Sequence, residues 1–203
     1  MARVNPSAIG AVAVLGAVCL PGAAFAQAIQ VFGGGWGEAC WRAAVASTFL
    51  HMDSAQMEAR WKADSVNACD EALFNGSLDR KDTAATLVNR SILEMSRENY
   101  AAAEKNLDSA LTLLPKLPEA HVDLGSTLIN MRKYDEGVRE TELGIQLGTK
   151  EPQRAWYNLG IGYERLGDIQ KAYESYRQAS VLDPNWQDPK DEMARFTVQP
   201  VKK

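Results

Sequence analysis

The chain has 203 residues, 46% of them apolar, 24% charged and 8% aromatic, which places it among ordinary globular proteins and excludes collagenous and disordered classes. Its 22 basic and 26 acidic side chains give a formal charge of −4, and no dense Lys/Arg cluster supplies the footprint that nucleic-acid binding or adhesion to an acidic membrane needs. With two histidines and three cysteines, the chain lacks material for most metal and nucleophile constellations.

Residues 1–26 have the three parts of a secretory signal peptide. Arg3 gives a positive start, Ala8 to Leu20 form an uncharged apolar run, and Pro21-Gly22 break it before Ala24-Phe25-Ala26. Small residues flanking Phe25 predict cleavage between Ala26 and Gln27 and a periplasmic or secreted location. A retained anchor is the alternative, but a run of about 13 residues is short of the roughly 20 needed to cross a bilayer. A lipid-attached form at Cys19 is a further alternative; Gly16-Ala17-Val18 lack the leucine and the small residue that a lipid-attachment box carries. Removal of residues 1–26 takes Cys19 with it and leaves Cys40 and Cys69. In an exported chain the pair favours a disulfide, with two buried thiols as the alternative. A metal site is disfavoured, because two sulfurs with His51 alone between them make no four-ligand set.

Residues 27–37 contain Gly33-Gly34-Gly35-Trp36-Gly37 and read as a flexible lead. Beyond it apolar residues recur every three or four positions between short turn signals, so the chain is helical throughout. Residues 38–81 read as a divergent helical pair, with Ala39-Cys40-Trp41-Ala44-Val45-Phe49 on one face and Trp61, Cys69 and Leu73 on a longer helix. A bridge from Cys40 to Cys69 would staple this pair as a cap.

Residues 82–186 repeat. Ser91, Gly125 and Gly160 align, as do Tyr100, Tyr134 and Ile169; Ala103, Gly137 and Ala172; Ala110, Gly144 and Ala179; and Leu113, Leu147 and Leu182, each set spaced by 34 and then 35 residues. One period held by five sets, with two helices per unit, signals a solenoid. The extra residue falls in the linker Gly148 to Gln153, where insertion costs little. The units run about 84–117, 118–151 and 153–186. Residues 187–197 form a closing helix with Asp188 as N-cap, Pro189 in its first turn and Trp186 beneath it, and 198–203 are a tail expected to fray.

The last unit, with Trp156, Leu159, Gly160, Tyr163, Gly167, Ala172, Tyr176, Ala179 and Pro184, resembles a tetratricopeptide repeat. The first unit departs at Glu94, where an aromatic or leucine is usual. The middle one departs at Gly137, Gly144, Thr141 and Thr149, and its two helix-interior glycines predict the least stable helix of the array. The resemblance implies an all-α, right-handed solenoid whose concave groove is lined by the first helix of each unit. Transferred position by position, that face is Val88, Asn89 and Ile92; Val122, Asp123, Ser126 and Asn130; and Tyr157, Asn158, Ile161 and Arg165. Asparagine carries a donor and an acceptor, so Asn89 and Asn158 suit an extended peptide backbone, with Val88, Ile92 and Tyr157 supplying apolar contact. The lysines with which chaperone cofactors of this fold grip a C-terminal carboxylate are missing, since Arg165 has Glu164 beside it.

No catalytic constellation is visible. His121 is expected to pack between repeats and His51 to end a helix. The acidic groups Asp135-Glu136, Glu140 and Glu142, and Asp188, Asp191 and Glu192, have the spacing of solvated helix faces. The reading is an exported, non-enzymatic adaptor without metal or cofactor, holding a protein or peptide partner. The alternatives are a self-associating structural solenoid and, less favoured, an accessory subunit of an envelope enzyme.

Overall fold

The computed structural model describes residues 3–4, 26–31, 36–49, 55–196 and 198–199, with side chains described for 26–31, 36–47 and 65–196. The apolar run before Ala26, Cys19, Gly33 to Gly35, His51, and the side chains of Phe49 and Trp61 lie outside the described residues. Those residues form nine helices and one two-residue antiparallel pairing, Arg3–Val4 with Val198–Gln199. Helices α1 (Trp36–Phe49) and α2 (Ala55–Asn75) precede three hairpins: α3 (Arg80–Ser96) with α4 (Tyr100–Leu113), α5 (Pro118–Asn130) with α6 (Tyr134–Gln146), and α7 (Pro152–Leu166) with α8 (Ile169–Leu182). Helix α9 (Asp188–Ala194) closes the array.

Local signals set the ends of these helices. Asp79 caps α3 by accepting from the Lys81 and Asp82 amides, both at 2.8 Å. Pro118 and Pro152 open α5 and α7 where no amide hydrogen is needed, and Gly167, at φ +81°, closes α7 in the left-handed region. Helix α9 differs slightly from expectation: Asp188 is its first residue, Gln187 takes the N-cap, and no side chain caps it.

The array is an all-helical solenoid in which each hairpin packs on the next. Val88, Leu107, Ala110, Ala120, Leu124 and Leu128 form one apolar cluster across α3, α4 and α5. A second, with Tyr157, Ala172, Tyr176 and Ala179, takes in Trp186, Met193 and Phe196 from the closing segment, so Trp186 does lie under α9. At the other end Cys40 and Cys69 are joined in a disulfide, fully buried with Val66 against Leu93 of α3. The staple therefore fastens α1 to α2 at the surface where both meet the first repeat.

The departures from the repeat pattern have structural reasons. Glu94 is buried, but Arg90 lies 3.3 Å away and the Asn99 side chain donates to it at 2.9 Å, so a charged turn clamp replaces the usual apolar contact. Gly160 faces the ring of Tyr176, whereas Gly125 faces Thr141, whose smaller side chain lets α6 approach α5 more closely. A Cβ on Gly137 would stand 2.7 Å from the Gly125 carbonyl oxygen, and one on Gly144 would stand 2.9 Å from that of Pro118. The two glycines expected to weaken α6 are thus the places where its backbone meets that of α5.

Candidate peptide groove

The first helix of each hairpin places one polar residue at the same position, Asn89 on α3, Asp123 on α5 and Asn158 on α7, and all three are buried. What buries two of them is the segment 26–31 of the same chain. The flexible lead expected over 27–37 is therefore divided: residues 27–31, with Ala26 ahead of them, are packed against α3 and α5, and α1 already begins at Trp36. Glycine density misled here, because the residues ahead of the glycines can pair with side chains instead of with another strand.

The contacts are to the segment's backbone. Asn89 Oδ1 accepts from the Ile29 N–H at 2.8 Å, and Asn89 Nδ2 donates to the Ile29 carbonyl at 2.7 Å. Two residues earlier the Gln27 N–H donates to Asp123 Oδ1, again at 2.8 Å. Gln27 and Ile29 thus meet successive repeats, through Asp123 on α5 and Asn89 on α3, while Gln30 is exposed. The Gln27 side chain is held as well: its Nε2 donates to the Glu151 carbonyl at 3.1 Å, and the Thr149 hydroxyl donates to its Oε1. Arg154 Nη1 donates to the Ala26 carbonyl at 3.2 Å. Ala26 and Ala28 join the apolar cluster of Ile92, Ala44 and Met95, and Ile29 packs on the cluster containing Val88.

The remaining groove positions divide. Asn158 is 1% exposed, and neither its Oδ1 nor its Nδ2 has a hydrogen-bond partner. Ser126 is likewise buried with its hydroxyl unpartnered, and Asn130 turns back to donate to the Ser126 carbonyl at 2.9 Å. Ile161 is half-buried against the Tyr157 cluster, while Arg165 is exposed. Val88, Val122 and Tyr157 are spent on helix packing: Val88 lies in the core between repeats, Val122 faces Gly144 of α6, and the Tyr157 ring sits 4.8 Å from that of Trp186. Sequence reasoning missed Thr149, Glu151 and Arg154, which belong to the linker and first turn around the extra residue of the period.

Burial pushes the Asp123 carboxyl well above the ordinary carboxylate range; the Gln27 amide and Arg154 oppose that shift, whereas Glu119 and Glu151 add to it. His121 is committed elsewhere. Its Nδ1 lies 2.7 Å from Glu140 Oε2 and its Nε2 lies 3.1 Å from the Pro115 carbonyl, both acceptors, so the pair favours the doubly protonated ring. The bond to Glu140 raises its pKa, which suits a brace between α5 and α6 rather than a proton acceptor. The surface carboxylates are engaged too, Glu142 accepting from the Tyr163 hydroxyl and Glu192 pairing with Arg195. Among the described residues no group of three or more His, Cys, Asp or Glu could hold a metal, and no helix is long and apolar enough to cross a membrane.

Comparison with known proteins agrees with this architecture. The family model for the tetratricopeptide repeat matches residues 153–186, which span α7 and α8. The chain is 35% identical over 85 residues to the chloroplastic PsbB mRNA maturation factor Mbb1 of Chlamydomonas reinhardtii, covering 41% of this chain and 13% of that protein. It is 28% identical over 111 residues to the chloroplastic tetratricopeptide repeat domain-containing protein PYG7 of Arabidopsis thaliana, covering 51% of this chain and 36% of that protein. The chain thus spans well under half the length of these relatives. Among solved structures, MamA 41-end from Desulfovibrio magneticus RS-1 superposes with a TM-score of 0.57 at 17% identity, over 80% of this chain and 84% of that one, a likeness of fold. Repeat period, hairpin geometry and these matches together show that the chain carries a tetratricopeptide repeat at residues 153–186, set in an all-helical solenoid of the same hairpin geometry.

Proposed function

We propose that this protein is an exported, non-catalytic adaptor that holds an extended segment of a protein partner in its concave groove. The observation that carries this reading is the two-point bond from the Asn89 carboxamide to the backbone of Ile29, a grip that takes a main chain whatever its side chain. Asn158 supports it, because a buried carboxamide with both ends free is equipped to pair a peptide group in the same way. The ligand is a neutral or mixed segment, since the groove offers Asp123 and Arg165 rather than a cluster of cations. Residues 27–31 are the internal occupant with which a partner exchanges.

The test is photocrosslinking in the envelope of the producing cell with a photoreactive residue at Ser126. A captured protein whose yield falls at least about tenfold on Asn89→Ala with Asn158→Ala, in a chain of unchanged helicity, supports the groove. That factor corresponds to about 1.4 kcal/mol, the scale of one or two net hydrogen bonds. Capture indifferent to the double substitution removes it.

Self-association is the second reading. The segment that fills the groove in one chain can fill that of a second copy, and Phe74, 89% exposed at the end of α2, offers apolar surface. Light scattering separates the two: a monomer with groove-dependent capture supports the adaptor, and a dimer that captures no other protein supports assembly.

A further inference from the structure

We propose that Asp123 is a receptor for a free peptide N-terminus, and that once residues 1–26 are removed the α-ammonium of Gln27 seats on this carboxylate and fixes the first residues of the mature chain in the groove. The inference rests on the reading of residues 1–26 as a segment cleaved on export.

The position is already occupied by the right atom. The Gln27 nitrogen lies 2.8 Å from Asp123 Oδ1, and in the unprocessed chain it can give only one hydrogen. Hydrolysis of the Ala26–Gln27 peptide bond leaves a carboxylate on Ala26 and converts that nitrogen into an ammonium with three donors and a positive charge, without moving it. Asp123 has a use for both. Its residue is fully buried and its Oδ2 has no hydrogen-bond partner, so one acceptor stands idle where water is excluded.

Charge points the same way. The groups acting on Asp123 are the carboxylates of Glu119 and Glu151 and the guanidinium of Arg154. With Asp123 ionised that leaves negative charge in excess, which a single cation relieves. Arg154 does not supply it to Asp123 directly; it holds the Ala26 carbonyl at 3.2 Å and Glu151 at 3.4 Å. Processing takes the Ala26 carbonyl from Arg154 and brings the new charge to Asp123, whose Oδ2 has no hydrogen-bond partner.

The surroundings also define the first residue. Thr149 and the Glu151 carbonyl hold the Gln27 side-chain amide, and Asn89 holds the third residue by its backbone. That hold opposes the one reaction that would destroy the site. N-terminal glutamine cyclises when its amine attacks its own side-chain carbonyl and expels ammonia. Both groups are here tied to separate partners, and an ammonium on a carboxylate has no lone pair to attack with.

The experiment compares two mature chains released from an N-terminal fusion, one beginning at Gln27 and one a residue longer, beginning at Ala26. The readout is the rate at which acetic anhydride acylates the α-amine near neutral pH, followed by peptide mass spectrometry. In the Gln27 chain the amine should react at least about tenfold more slowly than in the Ala26 chain, the factor given by a one-unit rise in its pKa. Asp123→Asn should abolish the difference. Since that variant could lose its fold, the comparison of the two starts with Asp123 intact decides by itself. Equal rates, or quantitative cyclisation of the Gln27 chain, would overturn the proposal. The intact mass of the exported protein is measured separately: a start other than Gln27 defeats the processing reading, whereas the acylation contrast decides the amine site.

Discussion

Asn89 and Ile29 stand 60 residues apart in the chain and share two hydrogen bonds, so that one carboxamide satisfies both polar groups of one backbone residue. The pairing reproduces, with a side chain, what a neighbouring strand does in a sheet. It places the grip on the main chain and leaves selection to what lies on either side.

Replacing Asn89 by alanine removes both bonds and should loosen the segment without unfolding the solenoid. Two bonds at about 1 kcal/mol each amount to roughly 30-fold in the opening equilibrium. Hydrogen exchange of the Ile29 amide should rise by that factor, while amides of α5 and α7 stay protected.

Reducing the Cys40–Cys69 bridge, or replacing both cysteines by serine, should cost about 3 to 4 kcal/mol in a loop-entropy account for partners 29 residues apart. Buried serine hydroxyls add to that cost. Urea unfolding with and without reductant measures it, and the loss should appear first in the cap formed by α1 and α2.

Alanine at Gly137 favours helix by about 1 kcal/mol by propensity alone. Packing opposes it, because the new Cβ would meet the Gly125 carbonyl and the Ile129 nitrogen, both main-chain atoms that cannot swing aside. The substitution should destabilise by about 1–3 kcal/mol, read as a lower melting temperature. An increase in melting temperature would mean that α5 and α6 are not in backbone contact there.

The pH dependence centres on His121, whose pKa is raised above the usual 6.5 chiefly by its bond to Glu140. A raised folded value means that the folded chain binds the proton more tightly than the unfolded one. The brace therefore contributes fully below 6.5 and is lost as pH climbs through the folded value. The urea midpoint of the wild type should fall over that interval, and Glu140→Gln should flatten the fall.

Much of the fold was legible in the sequence because a solenoid writes its geometry locally. Small residues such as Gly125 and Gly160 recur where helices cross, and Gly167 and Pro184 mark turns whatever lies elsewhere. The polar register of Asn89, Asp123 and Asn158 was legible for the same reason. Their neighbours Val88, Val122 and Tyr157 were placed on the groove face, yet one step along a helix turns a side chain by about 100°, enough to carry each of these into a helix contact. The occupant was not legible. Its pairing with Asn89 and Asp123 depends on residues scores of positions away, and Gln27 to Val31 lacks any periodicity long enough to announce a bound conformation.

The extra residue in the period between the second and third units lies in the loop that carries Thr149 and Glu151, the pair that holds the Gln27 side chain. Recognition of side chain and recognition of backbone are therefore housed in different parts of the molecule. Loop length and composition can drift and alter the hold on the Gln27 side chain, while the helix that bears Asn89 keeps its two bonds to the Ile29 backbone.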